Sequence, residues 1–384
     1  MPEIVTTTSW MRRIVGAFTG MLFGLILIVA AFFLISWNEM HGLDMAQSLA
    51  QTQKILIPVP DSPIDPSHDL KVVYVSGQAK TPDDLSDPLF HVSVNALALI
   101  RHVEMYEWKE TSTTKTENQT GGSQVKKTTY SYQPIWADHL IDSTQFNEPQ
   151  GHQNPGVMPL LPHIQYAQTV TVGDFVLPET LIQQMSGATS LNLSTVDLSA
   201  VQHALNRSVQ HIDEAVYVGD KPETPAIGDM KISFSAILPQ PVSIIAQQTG
   251  HTLQGYVAPA GETILLLAMG QASSQALIQE ALSQNALFTW IYRGVACLMM
   301  VIGLALLMQP LVILADFIPF LGAIVGAGTG LIAFCGGFIL CALAISIIWF
   351  AIRPVFAVSV LLIAVAVVSG LFYRRKQKMA KTQP

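Results

Sequence analysis

Ile14-Val-Gly-Ala-Phe-Thr-Gly-Met-Leu-Phe-Gly-Leu-Ile-Leu-Ile-Val-Ala-Ala-Phe-Phe-Leu-Ile-Ser-Trp37 contains no charged side chain. A helix crossing about 30 Å of hydrocarbon needs roughly 20 such residues, so this stretch predicts a membrane span. Arg12 and Arg13 precede it, and Asn38-Glu39 follow it. A cleaved signal peptide is the competing reading, but its apolar core is only about 7–15 residues long and ends at a small-residue cleavage site. Ser36-Trp37-Asn38-Glu39-Met40 offers no such site, so an uncleaved anchor is expected. Three further apolar runs crowd the other end of the chain, at 294–314, 321–348 and 356–372. The expected fold class is a membrane protein with four transmembrane α-helices, one N-terminal and three C-terminal, plus a large β-rich α+β extracytoplasmic domain.

Charge sets the expected orientation. The insert from Asn38 to Trp290 holds 25 of the 27 acidic residues but only 11 of the 20 basic ones, a formal charge of −14. Juxtamembrane Lys and Arg stay on the cytoplasmic side. Arg12, Arg13 and the tail residues Arg374, Arg375, Lys376, Lys378 and Lys381 therefore place both termini in the cytosol. An even number of spans then puts the insert in a lumen or periplasm. The expected division is 1–13 cytosolic N-terminus, 14–37 first span, 38–286 β-rich exported domain, 287–314 amphipathic helix end with second span, 321–348 third span, 356–372 fourth span and 373–384 basic cytosolic tail. A domain this acidic repels nucleic acid. The expected partners are the lipid bilayer, further copies of the chain and other membrane proteins. Cys297, Cys335 and Cys341 all fall in the spans, so the exported domain must be held by an ordinary buried core without disulfides.

Within the insert, a short amphipathic piece near 43–57 leads into Pro58, Pro60, Pro63 and Pro66, which reads as a connection. Two long β-type runs, 92–111 and 125–139, flank a polar tip at 112–124 containing Gly121-Gly122. Tyr106 and Trp108 alternate along the first run; Tyr130, Tyr132 and Trp136 alternate along the second. Period-two spacing puts each set on one strand face, where cross-strand aromatic pairs stabilise a hairpin. This constellation is expected to be the structural centre of the domain. In the spans, Gly16, Gly20 and Gly24 recur every four residues, as do Gly322, Gly326 and Gly330. Small residues at that spacing let helix backbones approach closely, so both triplets are expected to pack helices.

Chemistry-bearing motifs are scarce. All ten histidines lie in the insert, yet none forms an H-E-x-x-H, and His102-Val-Glu104 lacks the downstream cysteines of a zinc deaminase. No G-x-S-x-G and no P-loop occurs. Catalytic, metal and cofactor residues are all expected to be absent. Arg293, Asp316 and Arg353 sit at span ends and read as interface anchors, and Gln309-Pro310 as a kink. Asn118-Gln-Thr, Asn192-Leu-Ser and Asn206-Arg-Ser match the glycosylation acceptor pattern.

The chain resembles the transmembrane protein 43 (LUMA) family along nearly its whole length. The most specific block is Arg101-His102-Val-Glu104-Met-Tyr106-Glu-Trp108, continued by Val125-Lys-Lys-Thr-Thr-Tyr130-Ser-Tyr132 and Trp136. The loop Gly151-His152-Gln-Asn154-Pro155 follows, then Gly228-Asp-Met-Lys-Ile-Ser-Phe-Ser235. Asn38-Glu39, Trp290 with Arg293, and Arg353-Pro354 match beside the spans. The resemblance implies four spans, a lumenal domain and cytosolic tails. It also implies residence in the endoplasmic reticulum and inner nuclear membrane, self-association, and complexes with lamins and emerin. In a bacterium the corresponding place is the inner membrane, where nuclear partners do not exist. The function expected is a non-enzymatic, self-associating membrane scaffold. An ion channel or transport protein is the first alternative. The second is a membrane-surface enzyme, which requires His102, Glu104, His139 and His152 to converge on a cleft.

Overall fold

The computed structural model describes residues 2–352. The expected fourth span at 356–372, the tail at 373–384 and Arg353-Pro354 lie outside the described residues. Among the described residues, three helices are long and apolar enough to cross a membrane: α1 (Trp10–Ile55), α2 (Ser274–Ala315) and α3 (Pro319–Ile352). The amphipathic piece near 43–57 is no separate connection. It continues α1, a single helix of 46 residues, because no proline interrupts the chain until Pro58. Helix α2 likewise runs through Pro310.

The chain folds as two compact units. The first comprises Met1–Val5, Gln47–Lys115 and Lys126–Leu282. The second comprises Thr6–Ala46, Thr116–Val125 and the chain from Ser283 onward, of which 283–352 are described. Its strands and those of the first unit include β1 (Glu3–Thr8), β2 (Val72–Lys80), β3 (Ala98–Asn118), β4 (Gln124–Ala137), β5 (Met230–Ile237) and β6 (Pro241–Thr249).

One sheet has the order β1-β4-β3-β5, continued by Ala215–Val218 and Val209–Ile212. Strands β3 and β5 are antiparallel, in register from Met230 opposite Met105 to Ile237 opposite Ala98. In the second sheet β6 pairs with β2 from Pro241 opposite Gln78 to Gln247 opposite Val72. The pairings β6, Thr252–Gln254, Phe175–Val176, Thr171–Val172 and β2 return to β6, and Leu266–Met269 and Ile57–Pro58 extend from this ring as outer strands. Val73 and Val75 of β2, Val103 and Met105 of β3, Phe234 of β5 and Ile244 of β6 belong to one buried cluster. Alternate residues of each strand face it, as period two requires.

Two stretches depart from expectation. The hairpin turn occupies 119–123 rather than 112–124, because Thr111, Thr113, Thr114 and Thr116 are β-branched and extend the ladder. Thr111 bonds Ser131 at 2.7 Å and Thr114 bonds Thr128 at 2.9 Å across it. The segment 1–13, expected as a plain terminal tail, contains β1, which pairs with β4. Its sequence Ile4-Val-Thr-Thr-Thr8 is entirely β-branched. The Tyr130 amide donates to the Pro2 carbonyl at 3.0 Å, and Lys127 pairs with Glu3 at 2.8 Å.

Candidate functional site

Strand alternation splits the Arg101–Trp108 block into two faces. Val103, Met105 and Glu107 point into the core and are buried. Tyr106 and Trp108 point the other way and are half-buried, as are Tyr130, Tyr132 and Trp136. The aromatic constellation is therefore not the structural centre; Phe90, Phe175, Tyr217 and Phe234 are the large rings that are fully buried. Tyr106 packs on Trp136 with centroids 5.1 Å apart, and the Lys231 ammonium lies 4.2 Å from the Trp136 ring centre.

The Gly151–Pro155 loop closes over this outer face. His152 stacks on Tyr132 at 3.8 Å and meets Trp108 edge-on at 4.9 Å. Asn154 clamps the strand: its Oδ1 accepts from the Trp108 amide at 2.7 Å, and its Nδ2 donates to the Trp108 carbonyl at 2.9 Å. Nδ2 also donates to the Ile141 carbonyl at 3.1 Å. Pro155 rests beside Gly228. Tyr132 donates to Glu110 at 2.7 Å; burial and this bond push its pKa up. Glu107 lies on the core side, accepting from the Ile141 amide. Burial raises its pKa above the ordinary carboxylate value.

The four side chains named for a catalytic cleft have separate neighbours. His102 bonds Ser235 at 2.8 Å, and Glu104 lies opposite Lys231 in the β3–β5 register. His139 pairs with Asp138 at 2.7 Å, and His152 belongs to the aromatic stack. Arg101 pairs with Asp87 at 2.6 Å and donates to the Leu161 carbonyl. Among the described residues no group of three His, Cys, Asp or Glu is arranged to hold a metal ion.

In the second unit, Glu39 is a buried carboxylate bonded to two other helices. Both of its oxygens accept from Arg293, at 2.6 and 2.7 Å, and Trp349 Nε1 donates to it at 2.7 Å. The Arg293 guanidinium lies 4.7 Å from the Trp290 ring centre and 5.7 Å from that of Trp349. One carboxylate thus joins α1, α2 and α3 through a bidentate bond, the geometry in which an Arg–carboxylate pair is strongest. Asn38 donates to the Thr289 carbonyl at 3.2 Å and Asn285 to the Gly42 carbonyl at 2.9 Å. Cys297 and Cys341 pack in the cluster of Ile35, Ala296 and Ala344, and all three cysteines are free thiols. Arg293 and Asp316 are thus not lone interface anchors. Arg293 pairs with Glu39, and Asp316 pairs with Arg13.

The glycine triplets divide. An added Cβ at Gly24 would fall 2.6 Å from the Gly303 carbonyl, and one at Gly322 would strike Asp316. Gly20 is close to Gln309 at 3.1 Å, and Gly326 has only ordinary contact with Val312 at 3.5 Å. Among the described residues, Gly16 and Gly330 have nothing within 4 Å. The tightest helix approaches also involve Gly303 and Gly337, the latter against the Val301 backbone at 2.8 Å. Neither belongs to a four-residue repeat with the triplets, so spacing did not single them out. Glu39 had a legible signal: a carboxylate directly after an apolar run.

The sequence model of the family described as Transmembrane protein 43 matches residues 105–354. The proteins named Transmembrane protein 43 from Homo sapiens and Mus musculus are each 31% identical over 362 residues, covering 91% of this chain and 88% of theirs. The Transmembrane protein 43 homolog of Drosophila melanogaster is 26% identical over 352 residues, covering 89% of this chain and 91% of its own. No solved structure matches. With a family match over most of its length and relatives aligned nearly end to end, the chain belongs to the transmembrane protein 43 family.

Proposed function

We propose that this family member is a non-enzymatic, self-associating membrane scaffold, with its sheet domain in a lumen or periplasm and the start of α1, at Arg12 and Arg13, on the cytosolic side. The observation that carries the reading is the uneven use of the glycines. Gly24, Gly303 and Gly337 are consumed by packing within the chain, while Gly16, Gly328 and Gly330 leave open ground among the described residues. Around Gly330, the side chains of Leu331, Ile332, Phe334 and Phe338 are exposed. Small residues flanked by large apolar ones suit the close approach of another helix in lipid. The polar groups of the sheet domain support the reading from the other side. Asn154, Glu107, Glu110 and Arg101 are bound to neighbouring backbone and side chains, which suits a rigid platform.

The test is cross-linking of the full chain in native membranes. Gly330→Leu should shift the products toward monomer, whereas Val157→Ala, exposed in the sheet domain, should leave their distribution unchanged. A Gly330→Leu protein that folds and cross-links like the parent would refute self-association through this face.

A further inference from the structure

Residues 116–125, the end of the β3–β4 hairpin, belong to the second unit and bond to its helices. Arg13 donates to the Gly122 carbonyl at 2.6 Å and forms an ion pair with Asp316. The same Asp316 oxygen accepts from Asn118 Nδ2 at 2.9 Å. The Gly121 amide donates to the Phe317 carbonyl at 3.0 Å. Gly122, at φ +78°, lies against Trp10, where an added Cβ would fall 2.2 Å from the indole. Trp10 is itself fixed, donating to the Ile313 carbonyl at 2.8 Å and meeting Phe317 edge-on at 5.5 Å. The paired side chains of Arg13 and Asp316 are only 9% and 3% exposed. A buried ion pair, three further hydrogen bonds to the tip and a glycine fitted to an indole make a built dock.

Arg13 and Glu39 lie 26 residues apart on one unbroken helix, a rise of about 39 Å. That matches the ~40 Å of a bilayer including its headgroup regions, so the two ion pairs belong to opposite faces. We infer that the hairpin tip docks on the membrane face that carries Arg12 and Arg13, the face opposite Glu39 and Arg293. The strand has the reach: the ten residues from Trp108 to Asn118 extend about 33 Å. Its stem carries Lys109, Glu110, Lys115 and Lys126, which acyl chains do not accept, so water or protein encloses it. The docked amide of Asn118 is the atom a glycan would need, which withdraws Asn118-Gln-Thr from the three acceptor sites. The inference rests on the sidedness of Arg12 and Arg13 and is independent of self-association.

Sidedness of single cysteines tests it, in the full chain with Cys297, Cys335 and Cys341 replaced by serine or alanine. Ser123→Cys, Arg12→Cys and Asp213→Cys variants are exposed in sealed vesicles to a membrane-impermeant maleimide. Ser123→Cys should label from the same side as Arg12→Cys, and Asp213→Cys from the opposite side. Labelling of Ser123→Cys together with Asp213→Cys overturns the inference. Adding Asp316→Asn should raise the labelling rate at Ser123→Cys several-fold. Arg13→Lys, which keeps a cationic donor beside Asp316 and the Gly122 carbonyl, should leave the rate close to the parent's. An unchanged rate in Asp316→Asn would show that the ion pair does not hold the tip.

Discussion

Two buried glutamates, one in each unit, are satisfied in opposite ways. Glu39, 5% exposed, faces a guanidinium and an indole N–H. Glu107, fully buried, takes its hydrogen bonds from a single backbone amide, that of Ile141. A cation opposite a buried carboxylate compensates its charge, whereas Glu107, facing a neutral amide, is penalised by burial and binds its proton more tightly. The comparison teaches that burial of an acid does not by itself measure what it contributes. Glu39 ties three helices together, and its loss would leave Arg293 stranded. Glu107 occupies a strand position whose neighbours Val103 and Met105 are apolar, and its charge there is a burden.

The largest expected effect follows from Glu39. Breaking a buried pair by removing one partner costs about 3–5 kcal/mol. Glu39→Ala should therefore lower the thermal unfolding midpoint in lipid discs sharply, and Glu39→Ala with Arg293→Met should recover much of the loss. A Glu39→Ala protein as stable as the parent would break the comparison.

An intermediate effect is expected at the Asn154 clamp, which sharpens the contrast because its partners are all backbone. Asn154→Ala removes three hydrogen bonds and leaves the Trp108 amide to find another acceptor. At about 1 kcal/mol per bond, with more for a stranded buried group, the loss is roughly 2–3 kcal/mol. Hydrogen exchange at the Trp108 amide should accelerate first, ahead of the core strand β5.

The smallest effect belongs to Glu107, and its sign differs. The folded pKa lies above the ordinary value of 4.5 because of burial. Its contribution to stability is thus complete below 4.5 and is lost as pH rises through the folded pKa. Glu107→Gln keeps the acceptor for Ile141 without the charge. The variant should match the parent near pH 4 and be the more stable of the two at pH 7, read as a widening difference in unfolding midpoint. A parent more stable than Glu107→Gln at neutral pH would show that the carboxylate is paired as effectively as Glu39.

Much of the architecture was legible because it is written in local periods. The apolar runs at 14–37, 294–314 and 321–348 correspond to α1, α2 and α3, and the β-type runs at 92–111 and 125–139 contain much of β3 and β4. The aromatic spacing correctly put Tyr106 with Trp108 on one face. It could not say that this face is the outer one, covered by the Gly151–Pro155 loop, because period two is symmetric between faces. The N-terminal strand was hidden by its position before a span, where basic flanks dominate the reading.

The sequence by itself determined which segments are apolar enough to enter lipid, which alternate as strands, and where charge accumulates. These depend on side chains within a turn or two of one another. Tertiary structure decided that Glu39 meets Arg293, 254 residues away, that Asp316 meets both Arg13 and Asn118, and that Gly24 faces Gly303. Such pairings carry no local period. They arise when packing brings distant groups together and excludes the water that would otherwise satisfy them.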